Sequence, residues 1–306
     1  VSAPPPPPGG RGDPWLGRQV GDYRIEAILG RGSMGVVFRA KDTKLGREVA
    51  LKAVAVPDPA ARDRLLKEAR TAAALNHPCL LTVYNVGEAE GRLYIAAELM
   101  RQGSLADWVA ARIAAGPGNA PSPAEAAMMI SAVARGLHHA HLGRIAHRAV
   151  KPSNVYVSDE SGTHLVKLGD FGLARSLEDA RTLTRTDTSP DRLHYSAPEL
   201  IAGQSAAPPG DIYSLGCTLF FLLTGRSPFP AMGMASLMTA KMRAGVPDVR
   251  AVRGDVPADI AAAVAKATAI DPKARHTDAA AFADELKTAA VRAARGAAPK
   301  TARAAM

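Results

Sequence analysis

The apolar positions of this chain change spacing as it runs, and each change predicts an element. From Tyr23 to Val56, β-branched and apolar residues are broken by glycines, which predicts strands. Pro57-Asp58-Pro59 then punctuates the chain. Leu65, Ala69, Ala72 and Leu75 recur at helical spacing, predicting a helix to about Leu75 with those four facing inward, ended by Asn76-His77-Pro78. Leu80–Val86 and Arg92–Glu98 predict two more strands around a turn at Glu88–Gly91. Ser122-Pro123-Ala124-Glu125 is a helix start: the hydroxyl caps, proline suits the first turn, and Glu125 bonds back. Met129, Val133, Leu137 and Ala140 form its apolar stripe. Val155-Tyr156-Val157 and Leu165–Leu168 predict a hairpin, and Asp211 opens an apolar helix that Gly225 ends. Two further helices are expected, at about Pro257–Ile270 and Thr277–Ala290.

A chain of 306 residues with 47% apolar content can bury a full core. Two cysteines are too few for a disulfide framework and suit a reducing cytoplasm. The densest apolar run, Leu215 to Leu223, is too short to span a bilayer, and no basic-then-apolar signal opens the sequence. Val1 to Gly12 is rich in proline and glycine with little to bury, so residues 1–17 read as a linker.

The net charge of +9 changes the picture less than it first suggests. Lys287, Arg292, Arg295, Lys300 and Arg303 fall at the C-terminal end with no acid among them, so residues 289–306 read as a basic Ala/Arg-rich tail that frays beyond Arg292. A nucleic-acid domain would gather its cations on a folded face, and no nucleic-acid partner is expected.

The candidate chemistry lies in six motifs. They are Gly30-Arg31-Gly32-Ser33-Met34-Gly35, Val49-Ala50-Leu51-Lys52, Glu68 on the first helix, His147-Arg148-Ala149-Val150-Lys151-Pro152-Ser153-Asn154, Asp170-Phe171-Gly172, and Ala197-Pro198-Glu199. In this order and spacing they resemble the bacterial Ser/Thr protein kinases, over about residues 18–288. The resemblance implies an α+β, bilobal kinase fold. A small β-rich N-lobe with one helix would occupy 18–98, and the hinge with a larger, mostly helical C-lobe 99–288.

It also implies roles. Gly30, Gly32 and Gly35 would let a hairpin lie close over phosphates. Glu68 would aim Lys52 at the α- and β-phosphates. Glu98 and Met100 would hold the adenine edge by their backbones, with Val37, Ala50 and Tyr156 also at the nucleotide. Lys151 belongs to the catalytic loop, and Asn154 and Asp170 would hold Mg²⁺ on ATP. Asp211 would bond the catalytic-loop backbone, and Arg275 would pair with Glu199.

The departures matter as much. Ala149 stands where the family has the aspartate that accepts the substrate hydroxyl's proton. Asp191 and Arg192 replace the family's Gly-Thr, and that threonine normally contacts the same aspartate. Tyr156 replaces the usual aliphatic residue under adenine, where it would stack, fill the pocket, or turn away into the hairpin. Ala97, at the back of the pocket, is unusually small; either it opens a cavity or Met128, Met129 or another large neighbour fills the space. The expected function is a pseudokinase acting through nucleotide or protein-partner binding. The alternative is a weak, conditional or engineered-inactive Ser/Thr kinase. Thr182, Thr184, Thr186, Thr188 and Ser189 lie among basic residues, in a stretch that reads as a flexible loop or as a phosphate acceptor; Arg148 could pair with a phosphate there, which an upstream kinase, an expected partner, would have to supply.

Overall fold

The computed structural model describes residues 13–32, 35–55, 59–116, 119–160, 163–171, 190–204, 208–229 and 232–297. The described residues form two compact units, one from residues up to 57 with 83–99, the other from 58–82 with 100 onward.

The smaller unit is a six-stranded antiparallel sheet. Its strands are β1 (Gln19–Val20), β2 (Tyr23–Gly32), β3 (Gly35–Asp42), β4 (Glu48–Ala55), β5 (Val83–Ala89) and β6 (Arg92–Ala97), in spatial order β1-β2-β3-β4-β6-β5. The turn between β5 and β6 is tighter than expected. Glu90 and Gly91 carry it alone, with φ of 50° and 73°, the two-residue geometry that matches strand twist. Ile25, Phe38, Val49, Leu51 and Ala96 pack on one face of the sheet.

Trp15 joins them, fully buried, its ring 6.2 Å from that of Phe38. Its Nε1 donates to Glu90 Oε2 at 2.9 Å, and Arg92 Nη1 donates to Asp13 Oδ2 at 3.0 Å. The linker read over residues 1–17 therefore ends too late: by Asp13 the chain already belongs to this core. The bulk of one aromatic ring outweighs the Pro/Gly character of its neighbours.

The larger unit opens with α1 (Pro59–Ala73). Leu65 and Ala69 are buried as expected, and Ala72 and Leu75 pack against the larger unit's core. The helix thus groups with the larger unit, not with an N-lobe spanning 18–98. The chain that follows explains why. Leu81 N–H donates to Leu168 O and Leu168 N–H to Cys79 O, both at 2.9 Å. Gly136 admits this segment, since a Cβ there would stand 2.8 Å from Leu80 Cδ2. Leu80 to Thr82, read as the start of a strand, instead bridges to Leu168, and the strand of the small sheet starts at Val83.

The remaining elements are α2 (Leu105–Ala114), α3 (Pro123–Leu142), the hairpin β7 (Val155–Glu160) and β8 (Thr163–Leu168), α4 (Pro190–Tyr195), α5 (Pro198–Ile201), α6 (Pro208–Thr224), α7 (Met234–Arg243), α8 (Ala258–Ala267) and α9 (Ala279–Ala297). Ser122 and Glu125 form the expected capping box at the start of α3, and the stripe from Met129 to Ala140 is buried. Nearly all of α6 is buried, as an apolar helix without a polar face must be. Gly225, with φ of 70°, ends it. The C-terminal helix corrects both the boundary at 288 and the fraying expected beyond Arg292. Ala289 and Ala290 are buried in the core, and α9 continues to Ala297. Among the described residues no helix is long and apolar enough to cross a membrane.

Candidate functional site

The loop from His147 to Asn154 is built from underneath. Asp211, buried in the first turn of α6, accepts from the backbone N–H groups of His147 and Arg148, each at 2.7 Å. His141 Nε2 bonds the same carboxylate at 2.9 Å. This double anchor holds Arg148 at a φ of 66°, a conformation costly for a residue with a Cβ. His147 is fully buried. Its Nε2 donates to Gly169 O at 2.8 Å while Nδ1 accepts from Ala149 N–H at 3.2 Å, a pattern that assigns the neutral tautomer. Burial pushes the imidazole below its ordinary pKa, against the opposing pull of Asp211. Asn154 closes the loop, its Nδ2 donating to Ala149 O at 2.7 Å and its own carbonyl accepting from Gly169 N–H at 2.9 Å.

Ala149 therefore sits buried in a loop whose backbone is fixed by its neighbours. Its methyl group offers neither a proton acceptor nor an orienting hydrogen bond. The Nδ2 bond of Asn154 also fixes its amide, leaving Oδ1 as the atom not used in that bond. Amide and carboxylate oxygens, the kinds that Asn154 and Asp170 carry, are the ligands a hard cation takes. Among the described residues no group of three or more His, Cys, Asp or Glu side chains is placed to hold a metal by itself.

Asp170, two residues after the end of β8, has a φ of 60°. Tyr156 does not turn away into the hairpin. Its ring passes Gly169, where a Cβ would stand 2.9 Å from Tyr156 Cε2, and its hydroxyl donates to Asp170 Oδ2 at 3.2 Å. The Asp170 charge, with burial, pushes the phenol well above its ordinary pKa.

Two supports lie further out. Arg275 uses all five of its N–H donors. Nη1 and Nη2 reach the Glu199 carboxylate at 2.6 and 2.8 Å, and the rest go to the carbonyls of Pro209, Ala269 and Ile270. The sequence reading missed Lys241. Its ammonium is buried and donates to His194 O at 2.8 Å and Ser196 O at 2.9 Å, with the rings of Phe229 and Tyr213 at 4.6 and 5.2 Å. Burial pushes its pKa down to about 8. The available signal was its place four residues after Leu237, on the buried stripe of α7.

The smaller unit carries the other expected residues. Lys52 lies opposite Val37 and Ile95, and Ala50 lies opposite Ala97. Directly paired residues share a face, so Val37, Ala50 and Lys52 occupy the side of the sheet away from Phe38 and Leu51. Gly30 and Gly32 sit on β2 where an added Cβ would meet nothing within 4 Å, so no neighbour in the sheet requires glycine there. Gly35, at a φ of 136°, has a structural reason as well: a Cβ would stand 2.0 Å from Ala53 O. Glu98 follows β6 in this unit, whereas Met100, Glu68, Lys151, Asn154, Tyr156 and Asp170 belong to the larger one. Met128 is exposed and Met129 belongs to the larger unit's core. Gly172, the segment from Thr182 to Ser189, Ser33 and Met34 lie outside the described residues. Asp191 and Arg192 fall in the backbone of α4, but their side chains are likewise outside.

A glycine hairpin and lysine on one antiparallel sheet, with a histidine loop seated on a helical aspartate in the other unit, define a class. It is the protein kinase domain, whose family model matches residues 23–286, and the chain belongs to that family. Within it the chain is a bacterial Ser/Thr kinase-like domain. It is 39% identical over 267 residues to the serine/threonine-protein kinase PknJ of Mycobacterium bovis, a match covering 85% of this chain and 44% of that protein. It is 34% identical over 279 residues to PrkC of Bacillus subtilis, covering 90% and 41%. The chain thus spans less than half the length of these relatives. The crystal structure of the Mycobacterium tuberculosis PknI kinase domain superposes with a TM-score of 0.69 at 27% identity, covering 89% of this chain and 98% of that one.

Proposed function

We propose that this domain is a pseudokinase: it binds a nucleotide, communicates that state to a protein partner, and transfers phosphate poorly or not at all. The observation that carries this reading is Ala149 in a loop otherwise fully supported by Asp211, His147 and Asn154. Within that loop the loss is one carboxylate. General bases contribute about 10²–10⁴-fold, so about 3–5 kcal/mol of barrier lowering is removed.

The nucleotide of choice is ATP with Mg²⁺. In the smaller unit Lys52, with the open backbone of Gly30 and Gly32, would serve the phosphates, and in the larger unit Asn154 and Asp170 would hold the ion. Bound magnesium supplies positive charge at the β- and γ-phosphates. A second reading, a slow or conditional Ser/Thr kinase, is favoured by the retained Lys52, Lys151, Asn154 and Asp170. A loose phosphoryl-transfer transition state depends mostly on positioning and charge, so these residues could sustain a residual rate.

Labelled ATP and Mg²⁺ incubated with the wild type and with Lys52→Met tests the choice. The expected result is no transfer above the mutant's background; transfer that disappears in the mutant would sink the pseudokinase reading. Nucleotide binding itself is read by thermal shift, since ATP at 100 times its Kd stabilises by about 2.7 kcal/mol.

A further inference from the structure

The aspartate expected to hold the cation already has a protein partner. Tyr156 Oη donates to Asp170 Oδ2 at 3.2 Å, and both residues lie on or next to hydrogen-bonded strand backbone. Tyr156 is paired in the hairpin with Lys167 and bridged on its other edge to Ser104. Asp170 follows β8 at a fixed positive φ, two residues after Leu168, whose N–H and C=O are bonded to Cys79 and Leu81. Gly169 lies between them without a Cβ, and one would stand 2.9 Å from the tyrosine ring. The contact is therefore preorganised, not a side chain caught in passing.

Magnesium asks for short, near-octahedral bonds to oxygen and gives up its waters reluctantly. A phenol hydrogen on Oδ2 occupies one lone pair of that carboxylate and draws off part of its charge. An aliphatic residue at the same place, as the kinase resemblance implies, could do neither. We propose that Tyr156 is a positioning residue that competes with the divalent cation for Asp170, so that nucleotide binding by this chain is only weakly coupled to metal. This rests on the nucleotide-binding reading above for its consequence, but the competition is a property of the chain alone.

The test uses the full chain and Mn²⁺, which takes the same oxygen ligands and is visible by electron paramagnetic resonance. Hydrogen bonds to charged groups set the scale, and Tyr156→Phe, which keeps the ring against Gly169, is expected to bind Mn²⁺ about tenfold more tightly than wild type. In an Asp170→Asn background the same substitution is expected to change nothing, which assigns the effect to this pair. Equal Mn²⁺ affinity in wild type and Tyr156→Phe overturns the proposal, as does a gain that persists in the Asp170→Asn background.

A second measurement separates this from the nucleotide reading. ATP affinity is taken with excess Mg²⁺ and with EDTA. Wild type is expected to differ less than about threefold and Tyr156→Phe about tenfold. Equal metal dependence in the two also counts against the competition. Should neither protein bind ATP under either condition, the nucleotide reading fails, while the Mn²⁺ result still decides the role of Tyr156.

Discussion

Beneath the catalytic loop, Asp211 takes two backbone N–H groups and a histidine, His147 spans to Gly169, and Arg275 has every donor bonded. On the loop itself, position 149 carries only a buried methyl, and Asp170 carries a phenol on one of its oxygens. The difference follows from what each group holds. Asp211 and Arg275 satisfy buried backbone groups and could not be lost without leaving them unpaired. The side chain at position 149 holds no backbone, because Ala149 makes its own hydrogen bonds through N–H and C=O. Chemistry could leave this loop without taking the fold along.

Restoring the carboxylate is the strongest way to break that comparison. Ala149→Asp is expected to raise phosphotransfer by about 10²–10⁴-fold over wild type, read as label incorporated per hour. No gain would move the defect from the loop to the segment of Asp191 and Arg192. Next in size, Arg275→Ala leaves Glu199 and three carbonyls without their partner. Breaking such a buried pair is expected to cost about 3–5 kcal/mol in urea unfolding, whereas Arg275→Lys should recover only part of it. A loss under about 1 kcal/mol, the range of an exposed pair, would show that this support is dispensable.

The smallest effect is on pH. Burial holds the folded-state pKa of His147 below the value of about 6.5 it has in the unfolded chain, so the unfolded chain takes up the proton first. Its stabilisation is complete above that pH and declines as pH falls toward the folded value. Burial pushes His77 and His276 the same way. The urea midpoint is expected to be lower at about pH 5.5 than at about pH 7.5, by less in His147→Gln than in wild type. An unchanged midpoint would mean that acid releases no buried imidazole.

Much of this was legible in the order of residues. The capping box at Ser122, the stripe of α3, the two-strand hairpin and the motif spacing all have local signatures. So does α2, whose Ser104 and Asp107 form a second capping box that the sequence reading passed over. What stayed hidden depends on partners far along the chain. Leu80 and Leu81 suit a strand in any sheet, and only the fold says that Leu168 is their neighbour. Lys241 resembles a surface residue until the carbonyls of His194 and Ser196 are brought to it. Tyr156 could be named as unusual from its position, but its reach to Asp170 needs the backbone of both.

The seating of Trp15 has a practical consequence. The chain holds only two tryptophans, and the other, Trp108, is buried in the larger unit beneath the guanidinium of Arg112. Each unit thus carries its own intrinsic fluorophore. Emission from Trp108→Phe would follow the sheet alone, and emission from Trp15→Phe the helical unit alone, so a single denaturant titration of each would tell whether the two melt as one.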